Sequence, residues 1–150
     1  MTKDVMITIR GVQTDREQET ETTEVVARGT YYRKNGEHYI FYEEASEDLP
    51  GAVKNRIRFT GDMLELTKKG AVNTQMIFGE NRKTLSEYVL SFGRLQIGID
   101  TRTFQITETG EYISGMICYT LEINDEYLRD CTLHIEIRPV DLRGEFRVIT

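Results

Sequence analysis

The chain has 150 residues, 39% of them hydrophobic and 29% charged, with 19 Lys and Arg against 25 Asp and Glu and a net charge of −6. That length supports one domain with a core of useful size, and the balance is that of a folded chain rather than a disordered one. The acidic excess argues against nucleic-acid binding, no apolar run approaches the ~18–20 residues of a membrane-spanning helix, and two cysteines are too few for a disulfide framework.

Taken in chain order, the sequence is dominated by a period of two. Val5, Ile7 and Ile9 alternate with Met6, Thr8 and Arg10, which predicts a strand. This opening segment lacks the apolar block and cleavage site of a signal peptide, so the expected location is the cytoplasm. The acidic run Asp15–Glu24 reads as a solvated loop or strand start.

The segment 31–44, YYRKNGEHYIFYEE, carries the sharpest local signal. Asn35-Gly36 favours a two-residue type I′ turn, because both central residues need positive φ. That turn sets Lys34 opposite Glu37, Tyr32 opposite Tyr39 and Tyr31 opposite Ile40. Extended further, the register sets Gly29 opposite Tyr42, Arg28 opposite Glu43 and Ala27 opposite Glu44. One face then holds Val25, Ala27, Gly29, Tyr31, Ile40, Tyr42 and Glu44, with small residues opposite large ones, as a curved inner wall needs. The other holds Val26, Arg28, Thr30, Tyr32, Tyr39, Phe41 and Glu43 and reads as outward, with Arg28–Glu43 as a cross-strand ion pair.

Pro50-Gly51 marks the next turn. Ile57 and Phe59 alternate with Arg56 and Arg58, Leu64 and Leu66 share a face with Lys68, and Met76 and Phe78 are two apart. Residues 81–90 fit a helix or a turn and strand equally well. Leu95, Ile97 and Ile99 alternate, then Phe104 and Ile106 resume after a break. Ile117, Tyr119, Leu121 and Ile123 form one set, and Leu133, Ile135 and Ile137 another, before Pro139 ends the last strong strand. The spacing predicts a single all-β domain, an antiparallel up-and-down β-barrel of about 8–10 strands with little helix. Its core spans about residues 4–138, and 139–150 form a C-terminal extension.

Few chemical motifs emerge. Pairing the apolar positions of the last long hairpin puts Tyr119 opposite Cys131 and Ile117 opposite Leu133, so Cys131 points inward and Cys118 outward. A strict two-residue Asn124-Asp125 turn would pair the cysteines instead, and only a bulge reconciles that turn with the apolar pattern. His38 lies at a hairpin end and His134 on an outer face, so no zinc set forms. There is no nucleophile elbow and no glycine-rich phosphate loop, and no cofactor is expected. Glu44 is the candidate inward carboxylate, with Tyr42 beside it and Lys68 as a possible partner, because a buried carboxylate needs one; the alternative is that Glu44 and Lys68 sit solvated at the barrel mouth.

The chain resembles the YwiB-like family of small bacterial proteins, a domain family of unknown function with a calycin-like (lipocalin-type) barrel. The resemblance rests on Gly29, Tyr31 and Tyr32 in RGTYYRKN, Tyr42, Glu43 and Glu44 in YEE, Lys68, Gly70, Ala71 and Val72 in KKGAV, Phe78, Tyr88 with Ser91, Phe92 and Gly93 in YVLSFG, and Thr101 and Thr103. It covers about residues 4–138 and implies a single closed barrel in a cytoplasmic bacterial protein of Gram-positive lineage, with no established reaction. At Lys68 the family tends to carry Arg, which keeps the charge without the bidentate fork.

Three functional expectations follow. A small-ligand-binding, non-catalytic barrel would use Tyr42, Glu44, Lys68, Tyr88 and Thr101 as lumen residues. A protein interaction module, monomer or homodimer, would use the outward aromatics Tyr32, Tyr39 and Phe41. An acid–base enzyme would use Glu44 with Tyr42 or Tyr88. Neither nucleic acid nor membrane is an expected partner.

Overall fold

A computed structural model describes residues 2–45, 51–70, 73–90 and 92–140 of the chain. The elements among them are ten strands: β1 (Thr2–Asp15), β2 (Thr20–Lys34), β3 (Glu37–Ala45), β4 (Ala52–Phe59), β5 (Met63–Gly70), β6 (Asn73–Gly79), β7 (Lys83–Leu90), β8 (Gly93–Thr109), β9 (Tyr112–Ile123) and β10 (Glu126–Pro139). Each pairs antiparallel with its chain neighbours, and β1 closes the barrel against β10. Closure satisfies the backbone groups that an open sheet would leave on its edges. Segment 81–90 is therefore turn and strand, with Asn81 at φ 52° before β7. Of the features named above, Pro50, Ala71, Val72, Ser91 and the tail 141–150 lie outside the described residues.

The Asn35-Gly36 turn has φ of 53° and 78°, the two positive values that a type I′ turn requires. Its register carries Tyr32 opposite Tyr39 and Tyr31 opposite Ile40, as the turn predicts. The ladder then stops at Thr30–Phe41. Beyond that point β2 stays with β1, where Gly29 faces Val5, and β3 stays with β4, where Tyr42 faces Asn55. The predicted Arg28–Glu43 pair is accordingly absent. Arg28 instead reaches Asp4 of β1 at 2.9 Å, and Glu43 faces Lys54 of β4.

The second two-residue turn, Asn124-Asp125, has φ of 49° and 67°. A bulge at Leu128 follows it, between the pairs Glu122–Tyr127 and Leu121–Arg129. The extra residue shifts the register by one, which restores Tyr119 opposite Cys131 and Ile117 opposite Leu133. The tight turn and the apolar pairing thus coexist. Cys131 is buried, Cys118 faces Thr132 on the other side of the sheet, and both thiols are free. A bulge at Arg102 does the same in β8. It explains the break in the sequence pattern: Ile97, Ile99 and Thr101 point inward before it, and Phe104 and Ile106 after it.

The middle of the barrel is solid. Ile7, Ile40, Ile57, Phe59, Phe78, Ile99, Ile117 and Ile137 are each under 2% or about 2% exposed. The apolar void among Ile57, Phe59, Leu64, Ile117 and Ile137 measures about 10 Å³, room for one water at most. Larger spaces lie at the Tyr31–Glu108 mouth, at about 310 Å³, and where β2 and β3 part, at about 540 Å³.

Gly29 sits at that gap. A Cβ built there would lie 2.8 Å from the Phe41 carbonyl oxygen and 3.4 Å from the Cβ of Tyr42, whereas one at Gly61 would meet nothing within 4 Å. Gly29→Ala is expected to lower stability by about 1–3 kcal/mol in urea unfolding, and Gly61→Ala to stay within about 0.5 kcal/mol of the parent. Equal stability of the two variants would contradict this close approach.

Candidate functional site

Five inward positions fall in one cross-strand row. Tyr42 of β3 faces Asn55 of β4, Asn55 faces Lys68 of β5, Lys68 faces Thr74 of β6, and Thr74 faces Tyr88 of β7. The neighbouring inward row is Ile40, Ile57, Leu66 and Met76. One step along each strand, apolar filling therefore gives way to phenol, amide, ammonium and hydroxyl. Tyr42, Asn55 and Thr74 are buried, and Lys68 and Tyr88 are half-buried.

The ammonium of Lys68 holds this row together. Its Nζ donates to Glu44 Oε1 at 2.7 Å and to Asn55 Oδ1 at 2.8 Å. Asn55 Nδ2 in turn donates to the Val53 carbonyl at 3.3 Å. The Lys68 and Glu44 side chains keep 26% and 29% of their exposure, so the pair stands where solvent meets the barrel interior. An ammonium has three donors, and two are accounted for by Glu44 and Asn55. The hydroxyl of Thr74, beside Lys68 in the row, is buried with no hydrogen-bond partner among the described residues. Burial raises the Tyr42 phenol above its ordinary range, and the nearby Glu44 carboxylate adds to the shift.

On the outer side of the sheet, β2 and β3 separate beyond Thr30–Phe41. A cleft of about 540 Å³ lies there, bounded by Asp4, Arg28 and Thr30 on one bank and Phe41, Glu43 and Lys54 on the other, with Tyr42 and Asn55 in its wall. Tyr42, Lys68 and Tyr88 thus share one row, and Glu44 joins it through Lys68. Thr101 is not in the row. It faces Tyr119 on β9, and the Tyr119 ring packs edge-on against Phe78, at the far end of β6 from Thr74. Thr101 is 1% exposed, and its hydroxyl also lacks a partner among the described residues. Asn55 and Thr74 escaped sequence reasoning. Asn55 was legible, being two residues before Ile57 on the same face. Thr74 required the β5–β6 register.

The outward aromatics form a continuous stack. Tyr32 and Tyr39 lie 4.9 Å apart at 11° and Tyr32 and Phe41 5.8 Å apart at 16°, with Phe41 40% exposed. His38 lies at the hairpin end of β3, away from Glu44, and is buried. It stacks on Phe59 at 4.5 Å and bonds Tyr31 and Glu108. Among the described residues, no group of three His, Cys, Asp or Glu is placed to hold a metal, and no helix is long and apolar enough to cross a membrane.

The fold and its polar row define a small closed β-barrel with a solid middle and a hydrophilic end. The family model described as Domain of unknown function (DUF1934) matches residues 7–135, and the chain belongs to that family. It is 29% identical over 118 residues to the uncharacterized β-barrel protein YwiB of Bacillus subtilis (strain 168), covering 77% of this chain and 82% of that protein. The crystal structure of ywiB protein from Bacillus subtilis superimposes with a TM-score of 0.75 at 24% identity, over 90% of this chain and 92% of that one.

The buried phenols give an alkaline signature. Burial raises Tyr42 and Tyr119 above the ordinary 10.0. The folded state then holds protons that the unfolded state releases. Their contribution is fully present below about pH 10 and is lost as pH rises above it. Urea melts across that range are expected to show falling stability, with a shallower fall for Tyr42→Phe. A parent-like slope in that variant would contradict the assignment.

Proposed function

We propose that this barrel is a non-catalytic, cytoplasmic, lipocalin-like binder of a small polar molecule, held at the hydrophilic end of the lumen. The observation that carries the reading is the inward row Tyr42–Asn55–Lys68–Thr74–Tyr88, whose Lys68 ammonium has one donor beyond Glu44 and Asn55 and whose Thr74 hydroxyl is buried without a partner among the described residues. Buried polar groups are costly unless bonded, and a ligand acceptor would engage the remaining Lys68 donor and the Thr74 hydroxyl. The solid middle argues for a compact ligand rather than a long acyl chain. The two free cysteines on opposite faces support the cytoplasmic part of the reading. Acid–base chemistry at Glu44 has weaker support, since Lys68 already occupies Oε1 at 2.7 Å.

Native mass spectrometry of protein purified gently from its own source is expected to show an added small-molecule mass that Lys68→Met loses. A bare chain mass, together with no thermal shift across a panel of polar metabolites, would overturn the reading.

The stacked Tyr32, Tyr39 and Phe41 ladder favours a second reading, a homodimer through the outer face of β2 and β3. Light scattering at rising concentration is expected to show a dimer that Phe41→Glu dissociates. A monomer throughout would remove this reading.

A further inference from the structure

The mouth opposite the polar row contains a second built site. Here His38 is the second residue of β3, and its inward neighbours in register are Phe59, Leu64 and Phe78. An imidazole at this position is 5% exposed among apolar side chains, where a phenyl ring would pack without desolvation cost. Its nitrogens are both engaged. Nδ1 lies 2.7 Å from the Tyr31 hydroxyl, and Nε2 lies 3.0 Å from Glu108 Oε1 and 3.3 Å from Arg33. Burial holds His38 below the ordinary histidine range, so the ring is neutral at about pH 7. The consistent tautomer has Tyr31 O–H donating to Nδ1 and Nε2–H donating to Glu108, with Arg33 flanking that carboxylate at 3.7 Å.

Tyr31, Arg33 and Glu108 are also walls of a pocket of about 310 Å³. Its floor is apolar, formed by Val5, Ile113 and Ile137. Its rim carries charges of both signs, since Lys3 joins Arg33 on one side and Glu111 joins Glu108 on the other. The rim pairs are exposed: Lys3–Glu111 keeps 42% and 52%, and Arg33–Glu108 keeps 57% and 44%. Pairs this exposed contribute little, about 0–1 kcal/mol, so a ligand's own charges can replace one half of each at small cost. The volume lies at the lower edge of the usual ~300–1,000 Å³ of small-molecule sites.

From these features we infer that the pocket binds a small amphoteric molecule of the α-amino-acid class, its carboxylate toward Arg33 and Lys3, its ammonium toward Glu108 and Glu111, and an aliphatic side chain on the Val5–Ile113–Ile137 floor. His38 ties two of the walls together and is the internal reporter of occupancy. This site lies at the other end of β3 from the Lys68 row and does not depend on it.

The chain has two histidines, and His134 lies exposed on the outer face, opposite Arg10 of β1. Imidazole resonances of His38 and His134 therefore serve as probe and control in one spectrum. Titration with L-leucine is expected to move the His38 signals saturably and leave those of His134 in place. Leucinamide, without the carboxylate, and 4-methylpentanoate, without the ammonium, are each expected to bind at least about tenfold more weakly. Arg33→Gln, at an exposed side chain, is expected to weaken leucine about tenfold, and Lys68→Met to leave it unchanged. A His38 response that does not saturate by about 10 mM leucine overturns the inference, as do equal responses to the three probes. Loss of the response in Lys68→Met also overturns it, because the ligand would then sit at the polar row.

Discussion

A closed barrel has a single interior, and each strand offers only alternate residues to it. That constraint governs the remainder of the structure. Because β1 pairs with β10, the inward set must run continuously around ten strands without an edge to absorb an error of register. A slip of one residue anywhere would turn a strand's apolar side chains to solvent. Two features protect the continuity. The Asn35-Gly36 turn locks β2 to β3 by backbone conformation alone. The bulges at Arg102 and Leu128 insert one residue each, so that β8, β9 and β10 keep their isoleucines inward despite a change of parity in β8 and a two-residue turn between β9 and β10.

The same continuity concentrates polarity at the ends. Isoleucine and phenylalanine fill the central rows so completely that a void of about 10 Å³ remains among them. A polar group placed there would lose its hydration without gaining partners. One row further along β3 to β7, solvent is near enough for Lys68 and Glu44 to pair while staying roughly a quarter exposed, and Asn55 can satisfy the ammonium from inside. At the opposite mouth His38 occupies a position in an otherwise apolar row and is tolerated because Tyr31 and Glu108 satisfy both nitrogens. The two ends thus carry different chemistries, an anchored ammonium at one and a neutral imidazole under a mixed-charge rim at the other.

The side opening between β2 and β3 arises from competition between ladders. After Thr30–Phe41, β2 follows β1 and β3 follows β4, and the ladder between β2 and β3 ends. Gly29 makes the last close approach, within reach of the Phe41 carbonyl. Arg28 is drawn to Asp4 on the strand that remains beside it, rather than to Glu43 on the one that leaves. The loss of a predicted salt bridge and the cleft on the outer face beside Tyr42 and Asn55 therefore have one cause.

Local chemistry in the sequence determined the all-β barrel, the Asn35-Gly36 register, the inward face of Tyr42 and Glu44, the opposite faces of Cys118 and Cys131, and the break before Phe104. Period-two alternation and turn preferences are properties of neighbouring residues, so they can be read from neighbouring residues. The parting of β2 from β3, the row that joins Asn55 and Thr74 to Lys68, the displacement of Thr101 to Tyr119, and the burial of His38 beside Glu108 were decided only by the tertiary structure. Each depends on pairing between segments distant in the chain, where several ladders compete for the same backbone and the geometry of closure selects among them.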